Sequence, residues 1–236
     1  MTDDARKITT EDLIAGIDTT AWEALRQRYE DKFETFGGQR PADKNDRCEL
    51  NYSKFFDLET FIPYHFRLVR LTGLDKEETP KRVLDIGCGS GIFLHICKTF
   101  GHDPMGIEVD SEMYLAMAGV LGVPITVAPV MAMQPQPQEI AGFDWITAIA
   151  IKFDRLDWGP QSAEHWKLED WQFFIEDLAT RLNPGGQIMI KPNYAERPSA
   201  TSAGRFFLDP RIEPYLEKVA TRRTETEFFL SKETIL

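Results

Sequence analysis

The stretch VLDIGCGSGIFL, residues 83–94, decides the fold. A short apolar run carries an acid, Asp85, and glycines then stand at positions 87, 89 and 91. The apolar run reads as a buried strand over 82–86. In an open α/β sheet, ligands bind beyond the carboxyl ends of the strands. A loop leaving a strand there can wrap a ligand only where side chains are missing. Gly87, Gly89 and Gly91 let the main chain turn tightly and approach it. A helix starting near Gly91 then offers free amides to a negative group.

Two familiar glycine fingerprints do not fit. A dinucleotide site needs G-x-G-x-x-G. The sixth position counted from Gly87 is Ile92, and from Gly89 it is Leu94. A P-loop needs G-K-[ST], and the glycine loop is followed by Ile92 and Phe93 instead.

Downstream of this loop the pattern alternates. Strands are expected at 104–109, 124–128, 143–151 and 186–191, with one more strand within 221–230. Helices are expected at 91–100, 111–121, 166–182 and 209–219. Asp110 or Ser111 caps the helix at 111, and Asp209 with Pro210 opens the last. LNPGG, 182–186, reads as a turn that closes a helix before a strand. MAMQPQPQEIAG, 131–142, reads as a loop. Strands alternating with helices indicate a parallel sheet covered on both faces.

Upstream, residues 9–36 read as helix, with Thr9 or Thr10 capping a first turn and Asp18 or Thr19 a second. Trp22, Leu25, Tyr29, Phe33 and Phe36 share one face at spacings of three and four. GGQRPADKNDR reads as a loop. Residues 50–72 are aromatic-rich and helical, and Pro63 is expected to break or kink this helix near Ile62. TGLDKEETPK is a charged linker. The division is therefore a helical extension or lid over 1–80 and an α/β domain over 81–236.

Of the 236 residues, 38 are acidic and 27 basic, giving a net charge of −11. Such a chain repels polyphosphate over most of its surface, which argues against a broad nucleic-acid groove. Small molecules or other proteins are the expected partners, with a small-molecule substrate first. Cys48, Cys88 and Cys97 form no disulfide framework. The cysteines and the scattered His65, His95, His102 and His165 show no metal-ligand spacing, so no metal is expected. MTDDARKITTEDL is polar and acidic and does not read as a secretory leader. No apolar run approaches a membrane span. A cytoplasmic protein is expected.

Asp85-x-Gly87-x-Gly89-x-Gly91 resembles the first motif of the class I S-adenosylmethionine-dependent methyltransferases. GIEVDS (106–111), FDWITAIAI (143–151) and LATRLNPGGQIMI (178–190) follow in that family's order. The resemblance covers about residues 81–192. It implies an α/β, Rossmann-like, seven-strand, mostly parallel sheet with helices on both faces and the last strand antiparallel. It also implies S-adenosylmethionine as cofactor.

Carried over residue by residue, Gly87, Cys88, Gly89 and Gly91 line the methionine part of the cofactor. Asp85 orients the loop and faces the ammonium. Glu108 holds the ribose, with Asp110 as the alternative acid. Ala150 to Lys152 face the sulfonium and the substrate. APVMAMQPQPQ lacks the acid often found after the third strand, so Val130 and Met131 are left to touch the adenine through backbone and apolar contact. Asp144 supports the strand edge.

The family shares no single catalytic residue. His165, Asp154, Asp157 and His65 are the candidates for a general base, each weighed against a purely structural role. Cys88 reads as a small buried residue rather than a nucleophile. Trp158, Trp166 and Trp171 read as packing residues. Tyr52 and Tyr64 are candidates for a lid contact. KPNY, 191–194, lies where it can face a substrate, but it is not the asparagine-proline-proline-aromatic motif of amino-methylating enzymes. The expected activity is methyl transfer to a small-molecule oxygen, nitrogen or carbon. The alternatives are a protein or RNA methyltransferase, or a cofactor-binding protein without turnover.

Overall fold

In a computed structural model of the chain, the described residues are 8–37, 52–151, 153–155, 164–194 and 204–236. The helices are α1 (Thr10–Ala15), α2 (Thr19–Gly37), α3 (Leu58–Thr72), α4 (Ile92–Thr99), α5 (Glu112–Leu121), α6 (Leu168–Thr180), α7 (Ile212–Val219) and α8 (Lys232–Ile235). The strands are β1 (Arg82–Ile86), β2 (Asp103–Glu108), β3 (Ile125–Val127), β4 (Phe143–Ile149), β5 (Asp154–Arg155), β6 (Glu164–His165), β7 (Leu182–Lys191), β8 (Ala220–Arg223) and β9 (Phe228–Ser231).

Seven strands form one sheet in the order β3-β2-β1-β4-β7-β9-β8, and β5 and β6 form a separate ribbon. The ladders from β3 through β7 are parallel. β9 runs antiparallel to both its neighbours. This is the seven-strand, Rossmann-like α/β fold that the resemblance implied. The tail holds two strands where one was expected. α7 passes straight into β8, and a turn in which Thr224 N–H donates to the Glu227 carbonyl at 2.9 Å leads back into β9.

Alternation along the strands splits the core in two. Val83, Trp145, Met189 and Phe229 pack with α1–α5. Leu84, Ile86, Ile146, Ile188, Ile190, Phe228 and Leu230 pack with α6 and α7. On the second side Trp166, Trp171, Phe174 and Phe153 make one aromatic cluster, with Phe153 and Trp171 centroids 4.3 Å apart. The expected packing role of Trp166 and Trp171 holds. Trp158 lies outside the described residues.

The helix expected at 9–36 is two helices. One candidate of each pair is the cap: the Thr9 hydroxyl accepts from Asp12 N–H at 3.2 Å, and Asp18 Oδ1 accepts from Ala21 N–H at 2.9 Å. Trp22, Leu25 and Tyr29 are buried as expected. The side chains of Phe33 and Phe36 lie outside what the structure describes.

The expected break at Pro63 does not occur, and α3 runs unbroken through it. Pro63 lacks only the N–H that would donate to Glu59, and both residues are exposed. The orphaned carbonyl therefore meets water. Burial of Leu58, Ile62, Phe66, Leu68 and Val69 keeps the helix continuous.

LNPGG is absorbed into β7 as an outward loop. β4 pairs Phe143 with Leu182 and next Trp145 with Gln187, so the ladder skips three residues there. Arg181 fixes the preceding loop. Its guanidinium donates to the carbonyls of Gln136, Pro137 and Ile140 at 2.5, 2.7 and 2.8 Å, and to Asp177.

Candidate functional site

β2 and β3 lie to one side of β1, while β4 and β7 lie to the other. The strand order therefore reverses between β1 and β4, and the crevice beyond their carboxyl ends is where such sheets bind ligands. The 87–91 loop lies at that point. Gly87, Gly89 and Gly91 have φ of 65°, 54° and 79°, the left-handed region that disfavours a side chain. A Cβ on Gly87 would lie 2.8 Å from Ile151 Cγ1, so the segment after β4 packs against bare backbone. Gly91 caps α4 without a side-chain hydrogen bond.

The loop is anchored to β2. Gly87 and Cys88 N–H both donate to the Ile107 carbonyl, at 2.8 and 3.0 Å. Glu108 is buried. Its Oε2 accepts from Gly89 N–H at 2.5 Å and its Oε1 from Val109 N–H at 2.8 Å. Burial raises the Glu108 pKa, and these two amides oppose the shift. Asp110, the alternative acid, is exposed beyond the strand end.

Asp85 is buried at the end of β1 and accepts the Thr147 hydroxyl at 2.7 Å. Burial pushes its pKa up to about 8, against the Thr147 hydrogen bond and with the Glu108 charge. Cys88 is buried, and burial drives its thiol pKa far above the ordinary range. It is a packed residue, as expected. Its Sγ would lie 2.4 Å from a Cβ on Gly106, which explains a glycine inside β2 that the sequence reading passed over. Thr147 was passed over as well, because its partner Asp85 is 62 residues away.

Val130 and Met131 follow β3, half-buried, on the same edge of the sheet. Ala150 is exposed just past β4, in a left-handed conformation at φ 54°, and its N–H donates to the Lys191 carbonyl at 2.7 Å. Asp144 accepts from Arg82 N–H and Asn183 Nδ2, both at 2.8 Å, and supports the opposite end of β4.

Two of the general-base candidates, His65 and His165, belong to elements on opposite sides of the sheet. His65 is on α3, which packs on the first side of the sheet. Its Nδ1 lies 2.8 Å from the Phe61 carbonyl, and burial lowers its pKa to about 4. It is a neutral ring donating within its own helix. His165 is on β6, opposite Asp154, and the adjoining Trp166 packs on the other side of the sheet. Asp157 and Lys152 lie outside the described residues. His95 and His102 are structural: His102 Nε2 meets the Leu74 carbonyl at 2.8 Å, and its Nδ1 accepts from Lys81 N–H at 3.2 Å. No group of three or more potential metal ligands occurs among the described residues.

Aromatic contacts join α3 to the glycine loop. His65 meets Phe61 at 5.9 Å, Phe61 meets Phe55 at 5.4 Å, and Phe55 meets Tyr114 at 5.6 Å. Tyr114 Cε1 is 4.0 Å from where a Cβ on Gly89 would sit. Burial pushes the Tyr64 pKa up to about 12, and the charges of Arg67, Glu227 and Asp85 also act on this phenol. Tyr64 is thus within electrostatic reach of Asp85. Tyr52 opens the 3₁₀ turn Tyr52–Phe56.

Doubly wound sheets with an amide-lined loop at the switch point form a broad class of ligand-binding α/β domains. Within that class the chain has a family. A family model described as a methyltransferase domain matches residues 59–206, more than half of the chain, and the chain belongs to that family.

It is 32% identical over 137 residues to the ubiquinone biosynthesis O-methyltransferase of Paraburkholderia phymatum, covering 55% of this chain and 53% of that protein. It is 28% identical over 164 residues to the chloroplastic tocopherol O-methyltransferase of Arabidopsis thaliana, covering 67% of this chain and 42% of that one. The chain thus spans about half or less of the length of these curated relatives. Among solved structures it is similar to CalS10, an amino pentose methyltransferase from Micromonospora echinaspora, at 19% identity and a TM-score of 0.41, covering 55% and 50% of the two chains. No helix among the described residues is long and apolar enough to cross a membrane.

Proposed function

We propose that the chain is an S-adenosylmethionine-dependent methyltransferase acting on an oxygen of a small-molecule acceptor. The observation that carries this reading is the tie between the glycine loop and the β2 carboxylate at the switch point: Gly89 N–H on Glu108 at 2.5 Å, beneath bare, left-handed backbone. Two relatives named as O-methyltransferases support oxygen as the acceptor atom.

The residues fit that cofactor. Each Glu108 oxygen accepts one amide and keeps a lone pair for a ribose hydroxyl. The buried Glu108, rather than the exposed Asp110, is therefore the ribose acid in this reading. Gly87, Cys88, Gly89 and Gly91 supply close backbone, and Asp85 supplies the counter-charge for an ammonium. Val130 and Met131 line the adenine side, and Ala150 faces the acceptor.

S-adenosylmethionine supplies a methyl group whose leaving group is a neutral thioether. The chain has then to hold an acceptor oxygen in line, about 3 Å from the methyl carbon, and exclude water. The aromatic contacts of α3 with Phe55 and Tyr114 suit the second task, with residues 1–80 as the lid and 81–236 as the cofactor domain. His65, as a neutral ring that donates within its helix, is the weakest of the four base candidates. A cytoplasmic location belongs to the same proposal.

Calorimetric titration with S-adenosylmethionine and S-adenosylhomocysteine tests the reading. Binding in the micromolar range is expected. Glu108→Ala should weaken it by roughly ten- to a hundredfold, the scale of a lost charge-assisted hydrogen bond. No heat from either compound would overturn the reading.

A further inference from the structure

β7 and β9 pair antiparallel, Met189 with Phe229 and Ile190 with Phe228. Just past the end of this ladder, Lys191 follows Ile190 and Glu227 precedes Phe228, and the Glu227 charge acts on Lys191. Met189 and Phe229 face the α1–α5 side. Lys191 and Glu227, each two positions on, project to that side as well. Asp85 and Thr147 share it, by the same alternation from Val83 and Trp145. The carboxyl edge of the sheet thus presents Asp85, Thr147, Lys191 and Glu227, strand by strand.

Asp85, Thr147 and Glu227 have hydrogen-bond partners, and the Lys191 ammonium has none among the described residues. Asp85 takes the Thr147 hydroxyl. Glu227 is 2% exposed; it accepts from Arg67 Nη2 at 2.8 Å and from the Thr224 hydroxyl. Lys191 is half-buried, and no hydrogen bond or ion pair engages its ammonium among the described residues. Burial lowers its pKa, and the Glu227 charge only partly offsets this, with the Arg67 charge acting in the same direction as burial. The carboxylate beside it is already engaged by Arg67, in a chain of net charge −11. Burial partly desolvates this ammonium, and a hydrogen-bonding ligand would offset that cost. The position of Lys191 favours such a ligand. The Lys191 carbonyl holds Ala150 N–H past β4, and Tyr64 stands one turn before Arg67 on α3.

We propose that Lys191 is the acceptor-specificity residue of this site, its ammonium holding an anionic oxygen of the methyl acceptor. Arg67 and Glu227 fix the surroundings of Lys191, and Tyr64 closes the site from α3. The anionic oxygen belongs either to a carboxylate or to an ionised phenolic hydroxyl. The inference rests on the methyl-transfer reading above and names the acceptor class for it.

The test is calorimetry on the protein loaded with S-adenosylhomocysteine. The probes are benzoate and 3,4-dihydroxybenzoate for the carboxylate, 4-nitrocatechol for an acidic hydroxyl, and catechol as the neutral reference. At least one anionic probe is expected to bind roughly tenfold or more tightly than catechol, and which one does so identifies the oxygen. Lys191→Met should abolish that preference and Lys191→Arg should retain it, with the affinity for S-adenosylhomocysteine unchanged in both. The inference falls if no anionic probe outbinds catechol, or if Lys191→Met keeps the preference. Failure of the unaltered chain to bind S-adenosylhomocysteine at all would instead sink the methyl-transfer reading, and this inference with it.

Discussion

Asp85 is an acid kept away from water beside the place where a cofactor ammonium is proposed to sit. Its pKa rises from the ordinary 3.8 to about 8, chiefly through burial. The folded chain therefore holds this proton more tightly than the unfolded chain. The resulting stabilisation is fully present below about pH 4 and is lost as pH rises through about 8. An ammonium beside Asp85 favours the ionised form. Binding of S-adenosylhomocysteine should then release up to about one proton, and affinity should rise from about pH 6 to about pH 8. Calorimetry in two buffers of different ionisation enthalpy reads the proton, and Asp85→Asn should flatten both effects. A second prediction concerns Gly106. A Cβ there would meet Cys88 Sγ at 2.4 Å and Leu94 Cδ1 at 3.2 Å. Gly106→Ala should destabilise the chain by roughly 1–3 kcal/mol in chemical denaturation. Adding Cys88→Ala should recover part of that loss, with a coupling above about 0.5 kcal/mol.

At the scale of elements, α3 and the α6–β7 junction show how tertiary packing overrides local preference. Pro63 costs α3 one hydrogen bond, and a buried apolar face retains the helix regardless. Pro63→Ala restores the missing donor to Glu59, and the melting temperature should rise with a gain of about 1 kcal/mol or more. Arg181 behaves in the opposite way. It is 6% exposed and ties Asp177 to the carbonyls of the 136–140 loop. Arg181→Met leaves Asp177 and three carbonyls without that donor, and should cost roughly 3 kcal/mol or more. Hydrogen exchange should rise in the loop around Gln136, whose N–H is held by Asp177 at 2.9 Å.

Across the whole molecule, α1 and α2 belong to the same apolar cluster as α4 and α5. Leu13, Ile17, Trp22, Leu25 and Tyr29 share it with Phe93, Leu94, Met113, Met117 and Leu121. Trp22 Nε1 also donates to the Phe56 carbonyl at 3.1 Å. Each large side chain of this kind contributes roughly 1.5–3 kcal/mol on burial, against a net stability of about 5–15 kcal/mol for a domain. Deleting residues 1–36 should therefore abolish a cooperative thermal transition, even though the family match begins at residue 59. A shortened chain that melted cooperatively within a few degrees of the full one would contradict this.

The sequence by itself determined the sheet, the glycine loop and the pair of acids Asp85 and Glu108. Those signals are local: a strand period, a glycine where backbone must turn left-handed, and an acid at a strand end. Tertiary structure alone decided which groups meet across the chain. Thr147 finds Asp85, Glu227 finds Arg67, Arg181 finds the 136–140 loop, and Lys191 comes under the charge of Glu227. KPNY lies where it can face a substrate, but nothing in those four residues shows that its lysine has no hydrogen-bond partner among the described residues. Groups so far apart in sequence leave no periodic trace in it. Strand order, register and burial bring them together, and only those decide which charges are paired and which await a ligand.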